Sequence, residues 1–186
     1  MKMLPVILLC AIGLLVSPQI PLASVVFFKS VEDKADQAVA IVVGRISEVK
    51  AVYEEEIPLE SSSGPWRARG PFTIYTLETT EVLKGSNGKK TFEFWTLGGT
   101  AGGVSMEISR VSVELSKGTD IVVFLRIDKE NGFYWPADAA DSIYIQSRTG
   151  AFTSLVPYTD QHHFVDISVD EVPKWTLEEL REIVTE

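Results

Sequence analysis

The stretch from Val39 to Tyr53, VAIVVGRISEVKAVY, decides the fold that this sequence predicts. Its first half, as far as Val43, is an almost unbroken run of β-branched residues, and its second half, from Ile46, interleaves apolar with polar side chains. Gly44 lies between the two halves and is typical of a β-bulge, where a strand bends. The stretch therefore predicts a long, bent strand within a curved sheet.

Strand signals continue along the rest of the chain. Phe72–Leu83 and Lys90–Leu97 predict a hairpin, because the Asn87-Gly88 dipeptide between them favours a tight turn. Residues Glu54–Pro71 are rich in Glu, Ser, Gly and Pro and predict a long connection. Further strands are predicted at Val104–Ile108, Val111–Leu115, Ile121–Ile127, Phe133–Trp135, Ser142–Gln146, Phe152–Val156 and Phe164–Val169. Many short strands separated by turns favour a barrel or a sandwich.

Each end of the predicted sheet carries a helix signal. Ser30 and Asp33 form a capping pattern ahead of a short amphipathic helix, and Thr176 and Glu179 do the same near the C-terminus. The second helix places apolar side chains on one side, namely Leu177, Leu180, Ile183 and Val184. The fold class predicted is mostly β, with a short N-terminal helix and a C-terminal amphipathic helix.

The first 23 residues read as a signal peptide. Lys2 precedes an apolar run from Leu4 to Val16, which falls short of the roughly 20 residues that a membrane span needs. An uncleaved anchor is the alternative. We therefore expect residues 24–186 to form a single domain that is secreted or periplasmic, with no stable membrane anchor. Cys10 is the only cysteine, so this mature domain has no disulfide and no thiolate ligand.

The charge balance limits the classes of partner. The chain has 26 acidic against 17 basic residues and a net charge of −9. A field of that sign repels nucleic acid and anionic membrane surfaces, since both are bound through Lys and Arg. We expect no nucleic-acid partner, and no motif predicts a cofactor.

Two spans together resemble a known family. Ala35–Ile46, followed by Tyr75–Gly85 with its Glu-Val-Leu-Lys-Gly ending, resembles the opening strands of netrin/tissue-inhibitor-of-metalloproteinase-like modules. The Val122–Leu125 segment continues the likeness, which extends over roughly Asp36 to Asp128. The resemblance implies an OB-like five-stranded β-barrel. The cysteines of that family have no counterpart in the mature chain, so its inhibitory chemistry cannot be carried over.

Two segments are predicted as ligand-binding loops at one end of such a barrel. The Gly98–Gly103 stretch is followed by a strand rather than a helix, so it predicts a flexible loop and not a phosphate site. Trp66 lies in the Ser/Gly/Pro-rich connection, where aromatic side chains are free to stack on a ligand, whereas Trp95 and Trp135 are predicted core residues. The predicted binding residues are Trp66, Arg67, Arg69, Phe72, Gly98, Gly99, Gly102 and Gly103.

Both histidines of the chain fall in one segment, Asp160–Asp166. If that segment is extended, Asp160, His162 and Asp166 share a face and offer ligands to zinc or another divalent metal. No nucleophile elbow or His-Glu-x-x-His motif is present. The sequence thus predicts a non-enzymatic binding or inhibitory module for a protein, oligosaccharide or other extended ligand. A metal-dependent hydrolase centred on these three residues and a structural envelope component are the alternatives.

Overall fold

The computed structural model describes residues 30–59, 66–85, 88–107, 114–155 and 173–185. The predicted signal peptide, the Asp160–Asp166 segment and the Phe164–Val169 strand lie outside these residues. Of the described helices, neither has the length and apolar character that a membrane span requires.

The described chain is mostly β, with one short helix near each end, as the sequence predicts. The helices are α1 (Val31–Gln37) and α2 (Leu177–Thr185). The strands are β1 (Ala40–Leu59), β2 (Trp66–Lys84), β3 (Thr91–Leu97), β4 (Gly99–Ala101), β5 (Val104–Met106), β6 (Asp120–Ile127), β7 (Tyr134–Ala140), β8 (Ile143–Gln146), β9 (Phe152–Ser154) and β10 (Lys174–Trp175).

Eight of these strands form one sheet in the order β1-β2-β3-β7-β6-β8-β9-β10, and β4 and β5 form a separate two-stranded sheet. β1 pairs along its length with β2, and its Ala40–Arg45 part also pairs with β6. The contact between β3 and β7 is parallel, whereas the other pairings are antiparallel. Pairing thus runs from β1 through β2, β3, β7 and β6 back to β1.

The bulge predicted at Gly44 is confirmed. The pairing of β1 with β2 changes register between Val43 and Gly44. At this point β1 is also bonded to β6, opposite Ile121, so the backbone of Gly44 lies between two neighbours. A bulge of this kind bends a strand. The pairing of β1 with β6 ends one residue later, at Arg45, whereas β1 continues alongside β2.

The prediction that Glu54–Pro71 forms a long connection is wrong. β1 continues to Leu59 and β2 begins at Trp66, so most of this segment is a projecting β-hairpin arm. A second register shift between Glu54 and Ile57 curls the arm. Ile57 and Ala68 then become buried against the sheet, and this burial outweighs the weak strand propensity of the segment.

The apolar run of β1 is buried on both faces. Alternate side chains enter an inner cluster with residues of β2, β3 and β6, which contains Ala40, Val42, Ile46, Tyr75, Leu77, Phe92, Phe94, Ile121, Val123 and Leu125. Ile41 and Val43 face the other way and pack beneath α1 and α2, with Phe124, Tyr144 and Leu180. Both helices therefore cover one outer face of the sheet.

Local hydrogen bonds begin both helices where the sequence predicts. The Ser30 hydroxyl accepts a bond from the Asp33 amide at 3.1 Å, and the Asp33 carboxylate accepts one from the Ser30 amide at 3.3 Å. Thr176 and Glu179 form the same reciprocal pair ahead of α2. Each arrangement satisfies amides that a helix N-terminus leaves unbonded.

Helix α1 is also held by a buried charge. The Lys34 side chain is 5% exposed, and its ammonium lies 2.8 Å from a carboxylate oxygen of Asp141, in the β7–β8 turn. The same ammonium donates to the Asp141 carbonyl at 3.1 Å and to the Tyr144 hydroxyl at 3.4 Å. Ser154 donates to the second Asp141 oxygen at 3.0 Å. Burial, together with the nearby carboxylates, raises the pKa of Tyr144, so its hydroxyl stays neutral.

Helix α2 is tied to β2 by an ion pair. The Arg181 guanidinium donates to both carboxylate oxygens of Glu81, at 2.9 and 2.7 Å. Arg181 also contacts Glu178 one turn earlier on the helix. Hydrogen bonding to Arg181 lowers the pKa of Glu81 below its usual value near 4.5.

This ion pair predicts an acid-sensitive contribution to stability. Because the folded state holds Glu81 at a lower pKa than the unfolded state, the unfolded state binds more protons between the two values. We expect the contribution to be complete above pH 4.5 and to be lost as the pH falls through the lower folded-state value. Urea unfolding should therefore show a smaller difference between wild type and Arg181→Gln at about pH 3 than at about pH 6. Arg148→Gln, at an exposed position, is the control, and an undiminished Arg181→Gln difference in acid contradicts the assignment.

Candidate functional site: two grooves on the sheet

The two segments predicted as binding loops lie side by side in the structure. The Gly98 amide donates to the Pro71 carbonyl at 3.0 Å, and the Thr73 hydroxyl donates to the Gly98 carbonyl at 2.9 Å. The chain leaving β3 is thereby fixed to the start of the β1–β2 arm. The expected proximity of these segments holds, although neither of them is an open loop.

The glycine-rich stretch is a small β-hairpin rather than the predicted flexible loop. β4 pairs with β5 through Gly99–Met106, Thr100–Ser105 and Ala101–Val104, and the Thr100 and Ser105 hydroxyls lie 3.0 Å apart. Gly102 and Gly103 form its turn with φ of 60° and 76°. These angles favour glycine, because a side chain at positive φ meets its own backbone.

Close packing explains two further glycines in this region. A Cβ on Gly99 would lie 2.5 Å from the Thr73 hydroxyl oxygen, and one on Gly70 would lie 2.6 Å from the terminal methyl of Met106. A Cβ on Gly102 would press on the Tyr53 side chain at 3.0 Å. The β4–β5 hairpin therefore folds back onto β1 and β2, and glycine allows the close approach.

A groove of about 440 Å³ separates this hairpin from the strands beneath it, and we call it the hairpin groove. Its lining comes from β1, β2, β4, β5 and the residues ahead of β6, and comprises Val49, Ala51, Thr73, Tyr75, Gly99, Thr100, Ser105, Met106, Glu107, Glu114, Leu115 and Ser116. The groove combines apolar side chains with hydroxyls and two exposed carboxylates, those of Glu107 and Glu114. This is the mixed character of a ligand-binding surface.

One side chain in the hairpin groove is a deeply buried phenol. Tyr75 is 1% exposed, and its hydroxyl accepts a hydrogen bond from the Leu115 amide at 3.4 Å. Burial raises the pKa of Tyr75, so the hydroxyl remains protonated over the physiological range. The phenol therefore acts as a fixed polar group and not as a base.

The arginines predicted to bind a ligand form ion pairs within the arm. Arg67 forms an ion pair with Glu56, and Arg69 lies 3.1 Å from Glu55 while donating to the Tyr53 hydroxyl at 3.3 Å. Both arginine side chains are 67% exposed, so these are surface pairs between the strands of the arm. Each arginine is thus paired with one glutamate of the arm, Arg67 with Glu56 and Arg69 with Glu55, and the two do not form a cluster of free cations.

Phe72 and Trp66 are the two aromatic residues predicted to contact a ligand. Phe72 is fully buried, 6.2 Å from the ring of Trp95 and 6.1 Å from that of Trp135, so it presents no surface to a ligand. Its neighbours include Ile57 and Ala68 of the arm, in the segment that the sequence predicts to be a long connection. Trp66 begins β2, opposite Leu59 in the arm.

A second groove, of about 370 Å³, lies on the outward face of β3, and we call it the aromatic groove. It is lined by Thr76, Lys89, Thr91, Glu93, Trp95, Gly132, Phe133 and Tyr134. Trp95 and Phe133 stack with ring centroids 4.4 Å apart and planes within 2°. Trp95 is half-buried, so it is not wholly the core residue that the sequence analysis predicts.

Sequence reasoning missed the aromatic groove, although a signal was present. Phe92 and Phe94 are buried in β3, so the alternate residues Thr91, Glu93 and Trp95 share the outward face. Their alternation was visible in the sequence. Phe133 and Tyr134, which close the groove, come from a distant segment that no local pattern connects to β3.

The described part of the chain shows no cluster of metal ligands. Its His, Cys, Asp and Glu residues form no group of three that could hold a metal ion. The predicted metal ligands Asp160, His162 and Asp166 lie outside the described residues, and the hydrolase hypothesis stays a prediction from sequence. Comparison with family models, characterised proteins and solved structures finds no match for this chain.

Proposed function

We propose that this protein is an exported, non-enzymatic binding or inhibitory module that holds a protein or oligosaccharide segment in the hairpin groove. The observation that carries the proposal is the groove itself. Of the residues predicted to bind a ligand, Gly99 lines this groove, whose volume of about 440 Å³ falls within the size range of ligand sites. The secreted or periplasmic location rests on the signal-peptide pattern of residues 1–23.

An OB-like barrel is the architecture that we propose for this module. The cyclic pairing of β1, β2, β3, β7 and β6 supports it, since a curved five-stranded sheet that returns to its first strand is the defining feature of that fold. The bend at Gly44 and the parallel β3–β7 contact support the same architecture. Ligands of OB-like barrels bind on the face of strands 2 and 3 and at neighbouring loops. The aromatic groove has lining residues from both β2 and β3, which supports the same proposal.

Electrostatics limit the ligand of the hairpin groove. Among the described residues that line the groove, Glu107 and Glu114 are acidic and none is basic, and the whole chain carries a net charge of −9. Such a field favours a neutral or cationic segment and repels phosphate backbones. The proposed ligand is therefore a neutral or basic chain outside the cytoplasm.

Filling the hairpin groove should weaken binding about tenfold without unfolding the protein. Thr100 is exposed beside the groove, so Thr100→Trp places a large ring in the ligand's space. We expect wild-type protein immobilised on beads to retain specific components of the native extracellular fraction, and Thr100→Trp to retain about tenfold less, a loss equivalent to about 1.4 kcal/mol. Quantitative mass spectrometry of the eluates measures the difference.

Thr149→Trp is the matched control for this experiment. Thr149 is also an exposed threonine whose hydroxyl lies beside a serine, at 2.8 Å from Ser147, but it is not among the groove residues. The control should retain what wild type retains. Equal retention by Thr100→Trp and wild type, or no specific retention by wild type, would refute the proposal.

A further inference from the structure

The aromatic groove presents side chains of β2 and β3 to a ligand. Thr76, Glu93 and Trp95 project from the outward face of β2 and β3, while the hydrogen bonds that join these strands lie in the plane of the sheet. A chain lying across this face meets the rings and polar side chains that project from it.

The rings in this groove are held in place by their neighbours. Trp95 stacks on Phe133. The backbone amide of Phe133 donates a hydrogen bond to the Asn131 side-chain oxygen at 2.8 Å, which further restrains this residue. The Lys89 ammonium lies 4.5 Å from the Phe92 ring centroid and 4.8 Å from that of Tyr134. Such cation–π contacts fix the edge of the groove. A rigid aromatic wall suits a ligand that is itself rigid, because little conformational entropy is lost on binding.

The polar groups of the groove consist of several donors and one carboxylate. The hydroxyls of Thr76, Thr91 and Tyr134 and the Lys89 ammonium are able to donate to ligand carbonyls. Glu93 is exposed and has no ion-pair partner among the described residues. In a chain of net charge −9, this unpaired carboxylate is complementary to a ligand cation.

We propose that the aromatic groove binds a proline-rich peptide segment that carries a basic residue. Proline rings pack on aromatic walls, and the polyproline II helix is already extended before it binds. Its carbonyls are not used internally and accept hydrogen bonds from the surrounding donors. Glu93 pairs with the basic side chain and fixes the position of the segment along the groove. This site is separate from the hairpin groove and does not depend on its ligand.

The test uses a synthetic peptide of repeated Pro-Pro-Arg with blocked ends, titrated into the purified protein and followed by calorimetry. We expect saturable binding that Glu93→Gln weakens about fivefold, as for an exposed ion pair. Phe133→Leu keeps an apolar side chain but removes the ring, and should weaken binding by a similar factor. Thermal unfolding of both variants checks that each remains folded, and exposed Glu93 makes Glu93→Gln the safer of the two.

Matched controls separate this proposal from simpler attraction. Glu182→Gln, at an exposed position of α2, should bind like wild type, and so should Thr100→Trp, which blocks only the hairpin groove. A Gly-Ser-Arg repeat of equal charge should bind much more weakly. Equal binding of that repeat, an unchanged affinity of Glu93→Gln, no binding of the Pro-Pro-Arg peptide, or binding of a neutral oligosaccharide instead would each overturn the proposal.

Discussion

Replacing Asp141 by alanine is expected to lower the free energy of unfolding by about 3 kcal/mol, because it leaves the Lys34 ammonium buried without its counter-charge. The remaining partners of Lys34 are the Asp141 carbonyl and the neutral Tyr144 hydroxyl. Neither of them carries a charge to offset the desolvation of the ammonium. Helix α1 should therefore detach more readily from the β7–β8 turn, and urea unfolding measures the loss.

Two further variants isolate the ion pair. Asp36→Ala removes an exposed carboxylate from the same helix and should change stability by less than about 0.5 kcal/mol. The double variant Lys34→Met with Asp141→Leu removes both charges and should recover most of the loss, because an apolar pair of similar size carries no desolvation cost. If Asp141→Ala is no less stable than Asp36→Ala, the buried pair does not hold α1.

Gly44→Ala is expected to be the most damaging glycine substitution, with a loss of about 3 kcal/mol, at the upper end of the usual range for overpacking. A Cβ at this position would lie 2.2 Å from the backbone carbonyl oxygen of Glu78 and 3.0 Å from Cγ of Leu77. A carbonyl engaged in a sheet is unable to rotate away as a flexible side chain does. Since β6 restrains the other edge of β1, relief requires the strands to separate.

Gly103→Ala is the matched control, because the two glycines differ in the cause of the strain. Gly103 has φ of 76° but a Cβ there would meet nothing within 4 Å. Its substitution should cost only the left-handed backbone penalty, about 1 kcal/mol. Unfolding midpoints of both variants in urea test the contrast, and a Gly103→Ala loss equal to that of Gly44→Ala would contradict the steric explanation.

These predictions show which parts of the fold could be predicted from local sequence. The capping pairs at Ser30 and Thr176 involve residues three positions apart, so their pattern was sufficient to predict where both helices begin. The bulge at Gly44 was predicted from a glycine within a β-branched run. The carbonyl that makes glycine necessary there belongs to Glu78, on another strand, and was not visible in the same pattern.

The β1–β2 arm shows how tertiary contacts change a local prediction. Residues Glu54–Pro71 have the composition of a connection, but Ile57 and Ala68 gain burial in a cluster with Phe72, Trp95 and Trp135. Paired charges such as Arg69 with Glu55 then lie across the strands of the arm. The same contacts bury Phe72, which the sequence analysis assigned to ligand binding.

The sequence by itself determined the strand-rich character, the two capped helices and the bend at Gly44, because each of these depends on residues close together in the chain. Only the tertiary structure decided the two grooves. Thr100 and Val49 come to line the same hairpin groove, and Trp95 stacks on Phe133 in the aromatic groove, through strand pairings between distant segments. Register and close backbone approach set those contacts, and a pattern of side-chain types along one chain segment does not specify which distant segment will face it.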